Sequence, residues 1–143
     1  MEMHISNETN NEDKSYVVNK LIEFNMRYFP DDLKGRYQAI HLFLKSADNK
    51  TCGGLVGEIF LNFLEVKYLF VEEEFRKLGY GLKLLAEAER LARENFCDFI
   101  KLDTLSFQAL DFYKKQGFEV FGTLENVGGH THYYLKKDLA GGI

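Results

Sequence analysis

Residues 69–81 read LFVEEEFRKLGYG, and this stretch decides how the chain is interpreted. It begins with an apolar run typical of a buried strand and ends with Gly79 and Gly81, where a long amphipathic pattern starts. The stretch therefore predicts a strand that enters a loop and then a helix. Glycines let a ligand approach the backbone, and a helix N-terminus carries roughly half a positive charge. This arrangement suits a phosphate group.

Two other phosphate-binding motifs fit this loop poorly. No Gly-Lys-Ser/Thr sequence follows, as a P-loop requires, and Leu84 stands where the dinucleotide fingerprint has its last glycine. By spacing alone, an ordinary strand-to-helix turn explains Gly79 and Gly81 equally well. Residues elsewhere in the chain therefore have to decide between these readings.

The hydrophobic pattern on both sides of the stretch predicts a mixed sheet with helices. Helical spacing covers residues 14–26, 79–95 and 106–116. Ser106 is a candidate N-cap of the third helix, and Gly117 its left-handed C-terminus. Strand patterns cover residues 37–44, 52–61, 63–71, 99–103, 118–121 and 131–136. An antiparallel meander is thus combined with strand–helix–strand crossovers, which indicates an α/β fold of the mixed α+β kind.

Length and composition indicate a single globular domain over residues 1–143. Of the 143 residues, 45% are hydrophobic and 28% are charged. A domain near this size buries roughly 68% of its unfolded surface, so it can build a core without disulfides or a structural metal. Cys52 and Cys97 are the only cysteines and form no C-x-x-C pair, which favours a reducing compartment.

Charge and hydropathy limit the classes of molecule that this protein is expected to bind. The net charge of −4 argues against nucleic-acid binding, because phosphate contacts depend on clustered Lys and Arg. No segment approaches the ~20 apolar residues of a membrane span, and residues 1–10 do not resemble a secretory signal. We therefore expect a cytoplasmic protein that binds neither nucleic acid nor membrane. Its substrate is expected to be a small neutral or cationic molecule.

Two motifs resemble those of the GCN5-related N-acetyltransferases, the GNAT family. The sequence R-x-x-G-x-G at residues 76–81 is similar to the family's acetyl-CoA-binding motif. The sequence A-x-x-F-Y-x-x-x-G-F at residues 109–118 is similar to a later family motif and also follows a predicted strand. The resemblance covers residues 37–139 and is strongest to small bacterial members. It implies a GNAT-like central sheet of six to seven mostly antiparallel strands flanked by helices.

The resemblance implies that acetyl-CoA donates an acetyl group directly to a primary amine of a small molecule in one ternary complex. The residues it places around the coenzyme are Leu69, Phe70, Val71, Arg76, Lys77, Leu78, Gly79, Tyr80, Gly81, Ser106, Ala109, Phe112 and Tyr113. Many members carry Asn at the position of Ser106. Ser106 therefore either contacts the pantetheine arm or only caps the helix, and its residue type favours the cap.

The resemblance also assigns the proton transfers. By its position in the second motif, Tyr113 matches the family's general acid. A phenol suits this role, because its ordinary pKa of about 10 keeps it protonated at neutral pH, while a thiol with a pKa of about 8.5 leaves as thiolate and accepts the proton. The alternative for Tyr113 is a core tyrosine beside Phe112. Glu65 stands eleven residues before Arg76, as does the glutamate base of histone-modifying relatives. The alternative for Glu65 is a solvent-facing strand residue.

Acceptor contacts are less constrained by the sequence. Glu58 is a reserve carboxylate on the neighbouring strand, and Asn25 belongs to the helical region that walls the acceptor pocket in the family. His130 and His132 flank the last strand and could bind substrate or relay a proton, but their spacing supplies no third ligand for a metal. The family also includes many homodimers. Three functions stay open: acetylation of a small amine, acetylation of a protein Lys or N-terminus, and acetyl-CoA sensing without catalysis.

Overall fold

The computed structural model describes residues 1–139 and forms two compact units that divide after Gly35. The first unit contains helix α1, Asn11–Met26, and a 3₁₀ turn, Asp31–Leu33. The Asn10 side chain caps α1 by accepting hydrogen bonds from two amides of the first turn, at 2.9 and 3.1 Å. The helix therefore begins three residues before the predicted start at residue 14. A single domain over residues 1–143 stays a prediction, and residues 140–143 lie outside the described part.

The second unit is built on a six-stranded sheet. Its strands are β1 Tyr37–Lys45, β2 Thr51–Phe60, β3 Phe63–Val71, β4 Phe99–Leu105, β5 Glu119–Val127 and β6 His130–Asp138. Its helices are α2 Tyr80–Glu94 and α3 Leu110–Lys115. The strand order is β1-β2-β3-β4-β6-β5, and only β3 and β4 pair in parallel. The predicted mixed, mostly antiparallel sheet and the order of its elements are confirmed.

Helix α2 packs on one face of this sheet and forms the core. Its buried residues recur every three or four positions: Leu84, Leu85, Ala88 and Ala92. The sheet supplies the largest side chains of the core, each at most 1% exposed: Leu55, Ile59, Leu64, Ile100, Leu102 and Leu135. No helix within residues 1–139 has both the length and the apolar character that a membrane span needs.

A β-bulge at Lys67 bends β3. In the ladder with β2, Val66 and Tyr68 each face a partner residue, whereas Lys67 between them faces none. An extra residue reverses the alternation of side chains between the two faces of a strand. Leu64 before the bulge and Leu69 after it therefore both pack against the core, although their numbers differ by five. The bulge lets β3 bend without turning its apolar side away from α2.

The parallel strands β3 and β4 separate just before this bulge. Their pairing runs from Phe63 opposite Phe99 to Val66 opposite Leu102. In the described residues beyond that pair, β3 is bonded to β2 alone and β4 to β6 alone. A gap thus opens between the carboxyl ends of the two strands, at the edge where α2 and α3 begin.

The predicted cap of α3 by Ser106 is wrong. The Ser106 amide donates to the Thr131 carbonyl oxygen at 2.8 Å, and its hydroxyl accepts from the Thr131 amide at 3.3 Å. Ser106 therefore prolongs the contact of β4 with β6, and α3 begins only after Ala109. The last two strands are longer than predicted because Gly128 and Gly129, both with positive φ, close them into one hairpin. Gly117 has the predicted left-handed conformation, with φ of 92°.

Gly57→Ala should destabilise the fold, because a Cβ at Gly57 would lie 2.3 Å from the carbonyl oxygen of Glu65. Relief would require β3 to move where it leaves β4. We expect the free energy of unfolding in urea to fall by about 1–3 kcal/mol. Gly122→Ala is the matched control, since its Cβ would meet no atom closer than 4.0 Å. Equal stability of the two variants would contradict this close approach.

Candidate functional site

The loop from β3 to α2 exposes a run of backbone donors. It contains a 3₁₀ turn, Glu73–Phe75, and two residues with positive φ, Lys77 at 64° and Gly79 at 87°. Gly79 is the N-cap of α2 and has no side chain to accept a hydrogen bond, and the first turn of α2 carries no acidic residue. The amides of residues 77–82 donate to no acceptor within residues 1–139. Free N–H groups at the positive end of a helix form an anion-binding arrangement.

Arg76 is packed against this loop. Its Nε donates to the Val71 carbonyl oxygen at 2.8 Å, and its guanidinium lies 5.3 Å from the centre of the Phe70 ring. The arginine therefore shapes the turn out of β3, and it directly precedes the run of free amides in the chain. Leu69 and Val71 pack against the core and Phe70 is exposed. Because strand residues alternate the direction of their backbone groups, part of this segment's backbone faces the gap.

Helix α3 brings the second motif against the first. A Cβ at Gly81 in the first turn of α2 would lie 3.8 Å from Cζ of Phe112 on α3, which is ordinary van der Waals contact. Ala109 is the N-cap residue of α3, and its amide donates to the Thr104 hydroxyl at 3.4 Å. The two sequence motifs, separated by more than twenty residues, therefore meet beside the gap.

Tyr113 is buried on the α2 side of the sheet. Its ring centre lies 5.3 Å from that of Phe112 and 5.8 Å from that of Phe118. Burial raises the pKa of Tyr113 to about 12, and the negative charge of Asp103 adds to the rise. The Tyr113 hydroxyl has no hydrogen-bond partner in the described chain, yet it is not among the atoms sealed from solvent. The phenol is thus kept protonated, with its O–H free to meet a ligand.

Glu65 and Glu58 lie on the opposite face of the sheet. Both strand neighbours of Glu65 are buried on the α2 side, so the alternation of β3 directs Glu65 away from α2. The Glu65 carboxylate is 3.8 Å from Lys101 Nζ, and the Glu58 carboxylate is 3.1 Å from Lys67 Nζ. Each candidate base is therefore paired with a lysine. Glu58 and Glu65 are direct partners in the β2–β3 ladder, so they share this face.

Tyr113 and Glu65 thus approach the gap from opposite faces. Glu65 precedes the last β3–β4 pair by one residue, and Tyr113 belongs to the core cluster beneath α2. The structure brings both residues to the same region of the sheet but not to the same face.

The remaining predicted acceptor residues are Asn25 and His130. Asn25 lies in the last turn of α1, within the first unit, and its role stays a prediction. His130 begins β6, and its ring packs edge-on against Phe107 with centres 4.7 Å apart. Within residues 1–139, no three imidazole, thiol or carboxylate side chains are grouped as metal ligands. The free amides of residues 77–82 are donors that could hold an anionic group of a cofactor.

A cluster on β4 and β6 extends beyond the predicted site. His132 Nε2 lies 2.9 Å from Asp103 Oδ1, and His132 Nδ1 lies 3.4 Å from the Tyr134 hydroxyl. In the β4–β6 ladder Asp103 faces Tyr134, so these side chains share one face. The sequence indicates His132 alone, because the register that adds Asp103 and Tyr134 is not contained in local spacing.

Comparisons with known proteins agree with this geometry. Residues 38–120 match the family model described as an acetyltransferase (GNAT) domain. Acetyltransferase Atu2258 of Agrobacterium fabrum is 32% identical over 96% of this chain and 98% of its own length. Blasticidin-S acetyltransferase of Streptomyces morookaense is 37% identical over 61% of this chain and 65% of its own length.

Solved structures show the same architecture. The crystal structure of an acetyltransferase from Bacillus cereus is 38% identical, with a TM-score of 0.90 over 96% of this chain and 98% of that protein. A Bacillus anthracis protein in complex with acetyl coenzyme A is 23% identical, with a TM-score of 0.63 over 76% of this chain and 66% of that protein. The second likeness concerns the fold alone.

Proposed function

Because this chain belongs to the GNAT family of acetyltransferases, we propose that it transfers the acetyl group of acetyl-CoA to a primary amine of a small molecule. That the chain is an acetyl-transfer enzyme follows from the family, whereas the donor, the acceptor and the residue roles are the proposal. The observation that carries it is the gap between β3 and β4. This gap opens at the edge where α2 begins with its free amides, and Phe112, the neighbour of Tyr113, packs against the first turn of that helix.

The coenzyme end of the proposal rests on residues 77–82. The pyrophosphate of acetyl-CoA would accept hydrogen bonds from these amides, while Arg76 and Lys77 add positive charge. Because Gly79 and Gly81 have no side chains, the pyrophosphate could approach these amides closely. The pantetheine arm would follow the free edge of Leu69–Val71 and pass Ser106, which places the thioester at the gap. A protein of the same fold holding acetyl-CoA supports this donor.

The leaving group needs a proton, and we assign it to Tyr113. Breakage of the C–S bond produces a thiolate beside the buried phenol. Its raised pKa keeps the phenol protonated until that moment, and the apolar surroundings raise the proton affinity of the new thiolate as well. The proton therefore passes from oxygen to sulfur without a charged acid in the core.

The acceptor is proposed to enter from the face that carries Glu65. An amine with an ordinary pKa of about 10.4 is protonated at neutral pH and must lose a proton before it can attack. Glu65 takes this proton in the proposal, with Lys101 holding its carboxylate in place, and Glu58 and His130 contact the rest of the acceptor. The net charge of −4 favours a cationic acceptor, and the relative named for blasticidin S supports a small molecule.

The first test is the melting temperature with acetyl-CoA, CoA or NAD. The two CoA species should stabilise the protein, by about 2.7 kcal/mol at a hundred times the dissociation constant, and NAD should not. Gly81→Glu should abolish the shift, because its carboxylate would occupy the anion position. Gly81→Ala is the control, since its Cβ would meet only Phe112 at 3.8 Å. An undiminished shift in Gly81→Glu would remove the loop from the coenzyme site.

An amine screen then identifies the acceptor class by release of CoA thiol. The panel contains polyamines, free amino acids, blasticidin S and a Lys-bearing peptide. We expect turnover with small cationic amines. Turnover confined to the peptide would support protein acetylation, and coenzyme binding without any turnover would support a sensor. Either result would overturn the proposed acceptor.

Tyr113→Phe should lower kcat by about 100-fold while leaving the acetyl-CoA melting shift unchanged. Only the hydroxyl is removed, and in the described residues that hydroxyl holds no other group in place. The measurement is steady-state thiol release with the best amine of the panel. Wild-type kcat in Tyr113→Phe would take the acid role away from Tyr113.

Glu65→Gln should lower kcat/KM for a cationic amine by about 100-fold at neutral pH, because the amide can neither accept the proton nor attract the ammonium group. Glu125→Gln, an exposed change on β5, is the matched control and should behave as wild type. Steady-state kinetics of both variants provide the check. Equal kcat/KM values in the two variants would show that Glu65 is an ordinary surface residue.

A further inference from the structure

Three polar side chains on β4 and β6 form a hydrogen-bonded chain. Asp103 Oδ1 is 2.9 Å from His132 Nε2, and the Tyr134 hydroxyl is 3.4 Å from His132 Nδ1. With Nε2–H donating to Asp103, Nδ1 carries the lone pair and accepts from the Tyr134 hydroxyl. Carboxylate, imidazole and hydroxyl in this order form the arrangement in which an imidazole takes a hydroxyl proton and a carboxylate stabilises the imidazolium.

Asp103 lies at the rim of the gap, on the same face as Glu65, and its partners His132 and Tyr134 lie beside it on the neighbouring strand β6. Leu102 is the last residue of β4 paired with β3, so Asp103 is the first residue beyond the junction. Glu65 pairs with Lys101, and Asp103 follows Lys101 by two positions, which places both acids on one face. The His132 side chain is 22% exposed and that of Asp103 is 44% exposed. A molecule seated at this end of the gap could therefore contact the chain.

Acetylation of an ammonium group removes two protons from the same nitrogen. The first leaves before attack, because only the neutral amine has a lone pair. The second leaves the positively charged nitrogen of the tetrahedral intermediate, which otherwise expels the amine again. In the proposed function Glu65 accepts the first proton and Tyr113 protonates the thiolate. The second proton still needs an acceptor.

We propose that Tyr134, His132 and Asp103 carry this second proton away, an inference that rests on the proposed function. The N–H bond of the intermediate breaks, its electron pair stays on nitrogen, and the proton forms an O–H bond with Tyr134. The original Tyr134 proton moves to His132 Nδ1, and Asp103 stabilises the imidazolium. The C–S bond then breaks to give the amide and the thiolate.

The protons balance over one turnover. The thiolate takes its proton from Tyr113, and the proton held by Glu65 replaces it through solvent. The imidazolium of His132 releases the remaining proton to solvent. One proton therefore leaves for each amide formed from an ammonium ion, and Tyr134 ends each cycle as the neutral phenol.

Asp103 is the charged partner of His132, because the other charged groups nearby have partners of their own or lie out of contact with the imidazole. The other titratable groups near the cluster are Lys101 on β4, His130 and Lys136 on β6, and Tyr113 on α3. Lys101 pairs with Glu65, Lys136 is 3.3 Å from Asp138, and His130 packs on Phe107. From β5, the residue opposite His132 is Leu124, which carries no charge. Within residues 1–139, Asp103 is thus the charged group in contact with this imidazole.

The test is the pH dependence of kcat with the panel amine that wild type acetylates fastest. Wild-type kcat should rise with pH, because the relay works only with a neutral imidazole. His132→Gln and Tyr134→Phe should each lower kcat by about 100-fold and abolish the rise of kcat with pH. Their acetyl-CoA melting shifts should stay unchanged. His41→Gln removes an imidazole from β1 and is the control, with a wild-type profile expected.

Asp103 acts through His132 and is therefore a positioning residue, so its substitution needs a separate test. Asp103→Asn should lower kcat while the KM for the amine and the acetyl-CoA melting shift stay unchanged, and Asp103→Glu, which keeps the carboxylate, should restore part of the lost kcat, whereas a purely structural role would change the melting temperature instead. If His132→Gln and Tyr134→Phe keep the wild-type profile and kcat, the relay is wrong and the proposed function stands. If wild type acetylates no amine of the panel, the proposed function fails and the relay falls with it.

Discussion

The separation of β3 from β4 is the constraint on which the rest of the structure depends. Parallel strands with the same twist normally stay bonded, so a strand that leaves its neighbour must bend and still keep its apolar side on the core. The unpaired Lys67 achieves both, since one extra residue bends the strand and resets its alternation. The bend is possible because Gly57, opposite this segment, has no side chain to collide with β3.

Helix α2 is stabilised by packing against the sheet, so its N-terminus needs no cap and its first amides can bind a ligand. Helix α1 in the same chain begins with the Asn10 cap and two acidic residues, which satisfy its first amides and its dipole. Helix α2 begins after Gly79 with neither a side-chain cap nor an acidic residue in its first turn. Its stability comes instead from four residues buried against the sheet. The first amides of α2 are therefore left available to an anion. Two helices of similar length are thus stabilised in different ways, and the difference distinguishes the loop that is proposed to bind the coenzyme.

The sequence predicts the elements of this fold better than their lengths or neighbours. Helical spacing and glycine positions locate α2 and the end of α3, because both signals are local. Ser106 shows the limit: its residue type favours a helix cap, but a tertiary contact with Thr131 uses the same hydroxyl. The Asp103–His132 pair depends on the β4–β6 register, which links residues twenty-nine positions apart. The Lys67 bulge leaves no local signal except the later need for Leu69 to face inward.

The two faces of the gap separate the roles that a direct transfer requires. The α2 face offers an anion-binding helix end and a protonated, buried phenol, which suits a coenzyme that arrives as a polyanion and whose thiolate needs a proton before it leaves. The other face offers carboxylates and an imidazole, which suit an acceptor that arrives as a cation and leaves as a neutral amide. If donor and acceptor enter from different faces, neither blocks the other. The gap between β3 and β4 is then the one place where the two chemistries meet, and both depend on the bend in β3.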